Sequence, residues 1–234
     1  MKNLILPHWE ALVSLFFPRL CPGCMGPLWG VEKGICFACQ MSLPQTDHHL
    51  DFENVLWKKL NRHMPVSRAV ALFDFQKYGK VESLLHQLKY NGQEQIGSFM
   101  GDWLGPGLKE SGVFEKVQAV LPLPLHPRRF KRRGYNQVRL FSESLAKHLG
   151  LPLVDDLVYR KKATRQLAKL GEADRWKEVA SAFEVHKNHN YQSLHWLLVD
   201  DVITTGATLV SCGSSILETV GGSISIVSLA SRLS

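Results

Sequence analysis

The sequence predicts an α/β protein in which a parallel sheet carries helices on both faces and follows a small cysteine-rich module. Beyond Phe114, short apolar runs alternate with segments whose apolar residues recur at helical spacing. The apolar runs are continuous, which is typical of parallel strands buried on both faces. Near the start of the chain, four of the five cysteines fall within 19 positions.

Composition narrows the classes of protein to which the chain can belong. Its 234 residues are 45% hydrophobic and 21% charged, which excludes a disordered, collagenous or low-complexity protein. The 28 Lys and Arg residues exceed the 21 Asp and Glu residues, for a formal charge of +7. Phosphates, pyrophosphate and nucleic acid are therefore plausible ligands. No apolar run approaches the roughly 18 residues of a membrane span.

Residues 4–17 contain apolar positions that resemble a signal peptide, but Pro7 and Glu10 interrupt them and no cleavage site follows. Leu12, Leu15 and Phe16 recur at helical spacing, so we expect an amphipathic helix that packs on the next segment. A cytoplasmic location is the corresponding expectation.

Two Cys-x-x-Cys pairs follow, separated by eleven residues: Cys21 and Cys24, then Cys36 and Cys39. Each pair can close one edge of a tetrahedral Zn²⁺ site, and four thiolates leave no open position, so the metal is structural. Two disulfides or a redox dithiol are the alternatives, and a neighbouring histidine could replace one thiolate. The fifth cysteine, Cys212, is expected to be a buried apolar residue.

The predicted domains are residues 1–46 (N-terminal helix and zinc knuckle), a polar linker at 47–67, and an α/β domain at 68–234. The linker contains a short helix near Asn54 to Asn61. In the α/β domain the expected strands cover 68–75, 118–123, 195–199 and 223–229, and the expected helices cover 81–89, 95–104, 137–149 and 210–220.

The strongest candidate site follows the strand at 195–199. Asp200 and Asp201 come first, and a Thr-rich turn then leads into a helix. Backbone N–H groups, hydroxyls and the helix dipole suit a phosphate, whereas paired carboxylates suit the hydroxyls of a ribose. The pattern predicts a ribose 5-phosphate site, with the phosphate held by Thr204, Thr205, Gly206, Ala207 and Thr208.

The segment Leu197–Thr208 resembles the phosphoribosyl-pyrophosphate (PRPP) signature of type I phosphoribosyltransferases. Other blocks, in order along the chain, resemble the ComF family, which is related to GntX-type proteins. These blocks are Leu15–Pro18, Leu85–Tyr90, Leu121–Leu125, Arg132–Gln137, and Thr164–Gln166 followed by Arg175 and by Ala182–Phe183. The family implies a zinc-binding N-terminal module, a phosphoribosyltransferase-like domain, and a part in natural transformation, the uptake and handling of incoming DNA.

Two departures from the family pattern stand out. Many relatives have a second cysteine cluster after the first, and this chain has none. Glu178 stands where the family's Arg-x-x-Asn block has Asn.

Residues 126–139 contain six cations and no acid, after the strand at 118–123. By the resemblance this is the pyrophosphate loop, in which Arg128, Lys131, Arg132, Arg133 and Gly134 would hold the diphosphate with Mg²⁺. A nucleic-acid surface, with Phe130 and Tyr135 as stacking faces, and a solvated basic surface are the alternatives.

Residues 160–177 form a second basic segment. The resemblance implies a mobile lid here, with Gln166 and Arg175 as lid residues. Lys89, Tyr90 and Gly92 either point into the same cleft or serve only to end a helix.

These observations leave two alternative functions. In the first, Asp200 and Asp201 are the catalytic pair of a phosphoribosyltransferase (a glycosyltransferase of the pentosyl-transfer type) that moves a ribose 5-phosphate group from PRPP to an unidentified acceptor. In the second, the fold is non-catalytic and binds single-stranded DNA or a DNA-uptake helicase.

Overall fold

The computed structural model describes residues 18–32, 34–161, 182–186 and 191–232. The helices are α1 (Phe37–Ser42), α2 (Val55–Asn61), α3 (Lys80–Tyr90), α4 (Gln95–Ser111), α5 (Pro127–Arg133), α6 (Arg139–Leu149) and α7 (Ala207–Val220). The strands are β1 (Ala69–Asp74), β2 (Ala119–Pro122), β3 (Val158–Arg160), β4 (Phe183–Val185), β5 (His195–Ile203) and β6 (Ser223–Ser231).

Four strands form a parallel sheet in the order β1-β6-β5-β2, and β3 pairs with β4 in a separate antiparallel ribbon. Side chains alternate across the sheet, because successive residues of a strand point to opposite faces. In β5, Leu197 and Val199 join the core beneath α3, α4 and α6, whereas Trp196 and Leu198 join the core beneath α2 and α7. The predicted α/β fold, with a parallel sheet covered on both faces, is confirmed.

The cysteine knuckle (residues 21–39) packs directly on α3. Cys21 and Cys39 are buried in the same core as Leu88. The Ser83 hydroxyl of α3 donates a hydrogen bond to the Pro22 carbonyl at 2.7 Å. The knuckle is thus continuous with one face of the sheet, and α3 connects it to the site described below.

Residues 47–67 pack against the opposite face. Asn54 caps α2 by accepting from the Trp57 N–H at 3.0 Å, and its own amide donates to the Ala69 carbonyl of β1 at 2.8 Å. Leu56 and Leu60 are fully buried there. The short helix predicted in this segment is present, while the division of the chain at 46 and 67 stays a prediction.

The basic segment differs from the prediction, because residues 127–133 form helix α5 and not a loop. Pro127 occupies the first turn, the ring of His126 accepts from the Arg128 N–H at 3.1 Å, and the helix ends at Gly134 in a left-handed conformation. A proline in the first turn and a glycine at the end are ordinary signals for the start and end of a helix. The helix was not predicted because its apolar residues do not recur at helical spacing.

Other boundaries move as well, and two of the shifts are large. β5 extends to Ile203, so that the two aspartates lie within the strand, and α4 continues beyond residue 104 to Ser111. The expected N-terminal helix at 4–17 lies outside the described residues. Among the helices that the structure describes, none combines the length and apolarity that a bilayer crossing requires.

Candidate functional site

A polar cleft of about 370 Å³ opens at the carboxyl ends of β5 and β2. This is the edge at which parallel α/β sheets bind ligands. Two carboxylates and five cations line it together: Asp200, Asp201, Lys89, Arg129, Arg132, Arg133 and Arg160. We call it the main cleft.

A smaller pocket of about 30 Å³ adjoins the main cleft. It is lined by the phosphate loop (residues 204–208), and Asp200 and Thr208 border both spaces. Gly206 has φ +83°, and a Cβ atom there would lie 2.3 Å from Cδ2 of Leu60. A side chain here would strain the left-handed backbone and would have to displace the buried Leu60 methyl group, so glycine is strongly favoured. The turn therefore brings the first residues of α7 to the pocket wall.

Asp201 lies in a network of polar contacts. Its Oδ2 atom is 3.1 Å from Nζ of Lys89 and accepts a hydrogen bond from Nε2 of Gln137 at 2.8 Å. Arg133 in turn donates to Oε1 of Gln137 at 2.5 Å. The Lys89 and Asp201 side chains are only 18% and 7% exposed, so solvent screens this ion pair weakly. Lys89 of α3 and Gln137, itself held by Arg133 of α5, thus fix the position of the carboxylate.

Asp200 differs from Asp201 in its protonation. Its Oδ1 accepts from the backbone N–H of Asp201 at 2.8 Å. Burial and the neighbouring charge of Asp201 raise its pKa from 3.8 to about 7, against the opposing effects of Lys89 and Arg160. The pair thus combines a carboxylate fixed by cations with one that changes protonation near neutral pH.

The cations in the cleft are crowded. Arg160 is 5% exposed, and its guanidinium lies 5.2 Å from the Phe183 ring centre. Burial, with the adjacent charge of Arg129, lowers the Arg160 pKa to about 10. Burial and the charge of Arg133 likewise lower the pKa of Arg129. A bound anion would relieve this repulsion.

The predicted site residues divide between the cleft and the surface. Asp200, Asp201, Arg132, Arg133 and the phosphate loop come together, whereas Arg128, Lys131 and Gly134 are exposed and line neither the main cleft nor the phosphate-loop pocket. The lid residues Gln166 and Arg175, like Glu178, lie outside the described residues.

Arg129 and Arg160 belong to the two predicted basic segments but were not singled out as site residues, and Gln137 was missed. Lys89, whose direction was left open, lines the main cleft. Gln137 closes the quoted Arg132–Gln137 block, and Arg160 closes a strand. The only sign in the sequence that these residues could belong to the site was that polar side chains lie next to buried elements.

The four knuckle cysteines are placed to hold a metal ion. Their Sγ atoms all lie within 4.8 Å of one another, and those of Cys24 and Cys36 are 3.7 Å apart. Tetrahedral Zn²⁺ with bonds of about 2.3 Å requires sulfur atoms about 3.8 Å apart, so the donor set fits zinc. Among the described residues no histidine joins this cluster. His48 is buried elsewhere, where its Nδ1 accepts from the Ala71 N–H at 3.3 Å.

The Cys21 thiol ionises more readily than an ordinary cysteine. Burial acts to raise its pKa, but hydrogen bonds from the N–H groups of Cys36, Cys24 and Gly23 outweigh it and lower the pKa to about 7. Burial and the neighbouring sulfurs raise the pKa of Cys39 instead. A bound cation is what would bring all four to the thiolate form.

Curated relatives cover most of the chain. Competence protein F of Haemophilus influenzae is 29% identical over 215 residues, 83% of this chain and 89% of the relative. The DNA utilization protein YhgH of Escherichia coli is 27% identical over 227 residues, 91% and 96% of the two chains. Competence protein ComFC of Bacillus subtilis is 28% identical over 223 residues, 90% and 83%.

Solved structures are more distant. Adenine phosphoribosyltransferase of Saccharomyces cerevisiae matches 58% of this chain and 69% of its own, with 20% identity and a TM-score of 0.36. The glutamine PRPP amidotransferase of B. subtilis matches 61% and 30%, with 14% identity and a TM-score of 0.39. Such TM-scores are too low to assign a fold, which rests on the sheet itself. No protein-family model matches the chain. The chain is thus a homologue of competence protein F, YhgH and ComFC over most of its length.

Proposed function

We propose that the main cleft binds PRPP and that the chain transfers its ribose 5-phosphate group to an acceptor. One observation carries the proposal: two carboxylates lie between a phosphate-sized pocket and a group of cations within a single cleft. PRPP has the same order of groups, with a 5-phosphate at one end, a ribose diol in the middle and a diphosphate at C1. The match of Leu197–Thr208 to the PRPP signature supports it independently.

The residues would act as follows. The phosphate loop binds the 5-phosphate, and the Asp200 and Asp201 carboxylates accept hydrogen bonds from the ribose hydroxyls. An acceptor lone pair forms a bond to C1 as the C1–O bond to the diphosphate breaks, and that bond's electron pair leaves on the diphosphate oxygen. The carboxylates favour the positive charge that develops at C1, and Arg132 and Arg133 favour the charge on the leaving diphosphate. Mg²⁺, whose preferred ligands are oxygens, would supply further charge neutralisation.

Calorimetric titration of PRPP with Mg²⁺ into the full chain, with zinc content measured alongside, tests this function. We expect saturable binding that the Asp200→Asn, Asp201→Asn double variant weakens at least tenfold. Arg139→Ala is a matched control, since Arg139 is a cation of the same basic segment but is already bound by Glu143 at 2.8 Å. Absence of binding to the unmodified, zinc-loaded chain would contradict the proposal.

In a cell, we propose that this chemistry serves natural transformation in the cytoplasm. The ComF relatives named for competence support this proposal. The double aspartate variant should lose transformation in a competent strain while its protein level is unchanged. Full transformation by that variant would exclude PRPP chemistry from the process.

A second candidate is a surface for single-stranded DNA or a DNA-uptake helicase on α5. This helix buries none of its residues, and Phe130 on it is 51% exposed among five cations. If α5 binds single-stranded DNA, replacing Arg132 and Arg133 by Ala should flatten the slope of log affinity against log salt by about 1.4, while Arg139→Ala leaves the slope unchanged. An unchanged slope in the double variant would remove both arginines from DNA contact.

A further inference from the structure

A second cleft of about 290 Å³ adjoins the main one at the end of α3. It is lined by Lys89, Tyr90, Gly92, Arg132, Arg133 and Tyr135. Four of these residues also line the main cleft, so the two spaces share a wall of cations and one aromatic ring. A molecule in the second cleft would therefore lie beside PRPP bound in the first.

The wall of the second cleft is basic and aromatic. Three of its six lining residues are cations, and these six include no carboxylate and no imidazole. The Tyr90 side chain is 52% exposed, and the Arg133 guanidinium lies 5.2 Å from its ring centre. Such a surface attracts a negative charge and offers contact to a flat ring.

Tyr135 fixes the other side and does not supply a base. Its hydroxyl donates to the Leu88 carbonyl of α3, which holds the ring in place. Burial, together with the charge of Glu94 nearby, raises the pKa of Tyr135. The hydroxyl thus keeps its proton at neutral pH and does not act as a base.

We infer that the second cleft is the acceptor site and that it takes a planar aromatic anion whose attacking atom carries no proton. The inference rests on the proposed function. The Tyr90 ring selects the flat ring, and the cations select the negative charge of an acceptor that arrives already deprotonated at its attacking atom. The lone pair of the anion then forms the bond to C1 while the C1–O electron pair leaves with the diphosphate, and no proton has to move.

The test uses the zinc-loaded full chain, saturated with PRPP and Mg²⁺. Benzoate and cyclohexanecarboxylate serve as probes, because they share charge and size and differ in the flat ring. Ligand-detected NMR titration gives both dissociation constants. We expect benzoate to bind about fivefold more tightly, a difference that stacking on one aromatic ring supplies. Tyr90→Leu should abolish the preference, and Tyr90→Phe should retain it.

Tyr78→Leu is the matched control. Tyr78 is 88% exposed and has the Lys77 ammonium 5.2 Å from its ring, but it precedes α3 whereas Tyr90 ends that helix. This variant should keep the benzoate preference. Arg132→Ala should weaken both probes severalfold, since both carry the same charge.

Equal affinities for the two probes, or a preference that survives Tyr90→Leu, would overturn the inference. So would Tyr90-dependent binding of an oligothymidylate that benzoate does not displace, which would assign the cleft to nucleic acid. If PRPP binds normally while benzoate shows no preference, only the acceptor site is wrong. If PRPP itself fails to bind, the proposed function fails first.

Discussion

Replacing Asp200 by Asn should stabilise the free protein near neutral pH even though it damages the site. Burial and the charge of Asp201 raise the pKa of Asp200 from 3.8 to about 7. Between those values the folded state holds a proton that the unfolded state has released, so the free energy of unfolding decreases as pH rises through this window. The stabilising contribution is complete below pH 3.8 and lost above about 7. Asn has no proton to lose and avoids this cost.

The size of the effect follows from the same shift. A separation of roughly three pH units at about 1.36 kcal/mol each sets an upper limit near 4 kcal/mol. Because Asp200 is partly exposed to solvent, screening reduces the limit, and we expect about 2 kcal/mol at pH 8. The gain should increase with pH.

Urea unfolding of the full chain at pH 5, 6, 7 and 8, followed by circular dichroism, measures this difference. The free energy of unfolding of Asp200→Asn minus that of the unmodified protein should grow by about 1–2 kcal/mol from pH 5 to 8. Asp201→Asn provides an internal comparison, since it removes the second cause of the shift and should narrow the pH window of Asp200. A difference that is flat with pH, or that falls as pH rises, would refute the raised pKa of Asp200, and an unchanged pH window in Asp201→Asn would refute the coupling of the two carboxylates.

Three further predictions follow from the site and the knuckle. PRPP affinity should rise about tenfold from pH 6 to 8 as Asp200 ionises, and calorimetry on Asp200→Asn should show this part of the dependence removed. Gly206→Ala should lower the free energy of unfolding by about 2–3 kcal/mol and weaken PRPP binding. Gly112 is also left-handed but has open space around it, so Gly112→Ala should cost only about 1 kcal/mol. Equal losses in the two variants would show that the contact with Leu60 contributes nothing. Cys39→Ser should abolish stoichiometric zinc binding in metal analysis, and Cys212→Ala, buried on α7, should retain it.

Much of the fold was predictable because its signals are local. Continuous apolar runs marked the buried strands, and helical spacing of residues such as Phe141 and Leu145 marked α6. The phosphate loop and its two aspartates were likewise visible, since they occupy one contiguous segment at the end of a strand. The cysteine pairs predicted a four-sulfur cluster, which the structure forms.

Helix α5 shows where local pattern analysis stops. Its cations were predicted as one group, yet only some reach the cleft. Arg129, Arg132 and Arg133 are three and four residues apart and share one face of the helix, whereas Arg128 and Lys131 point to solvent. Five cations without an apolar repeat among them do not indicate which side of the helix faces the protein, so the sequence could not separate them.

Residue spacing within short stretches was enough to predict the alternation of strands and helices, the four-cysteine cluster and the segment that carries Asp200 and Asp201. Tertiary structure alone decided which distant side chains complete the site. Lys89 lies on α3 and Gln137 lies in the turn before α6, and they meet Asp201 only because α3 and α6 pack near the carboxyl end of β5. The protonation of Asp200 was decided there too, since its pKa is set by burial and by the charges that packing brings beside it.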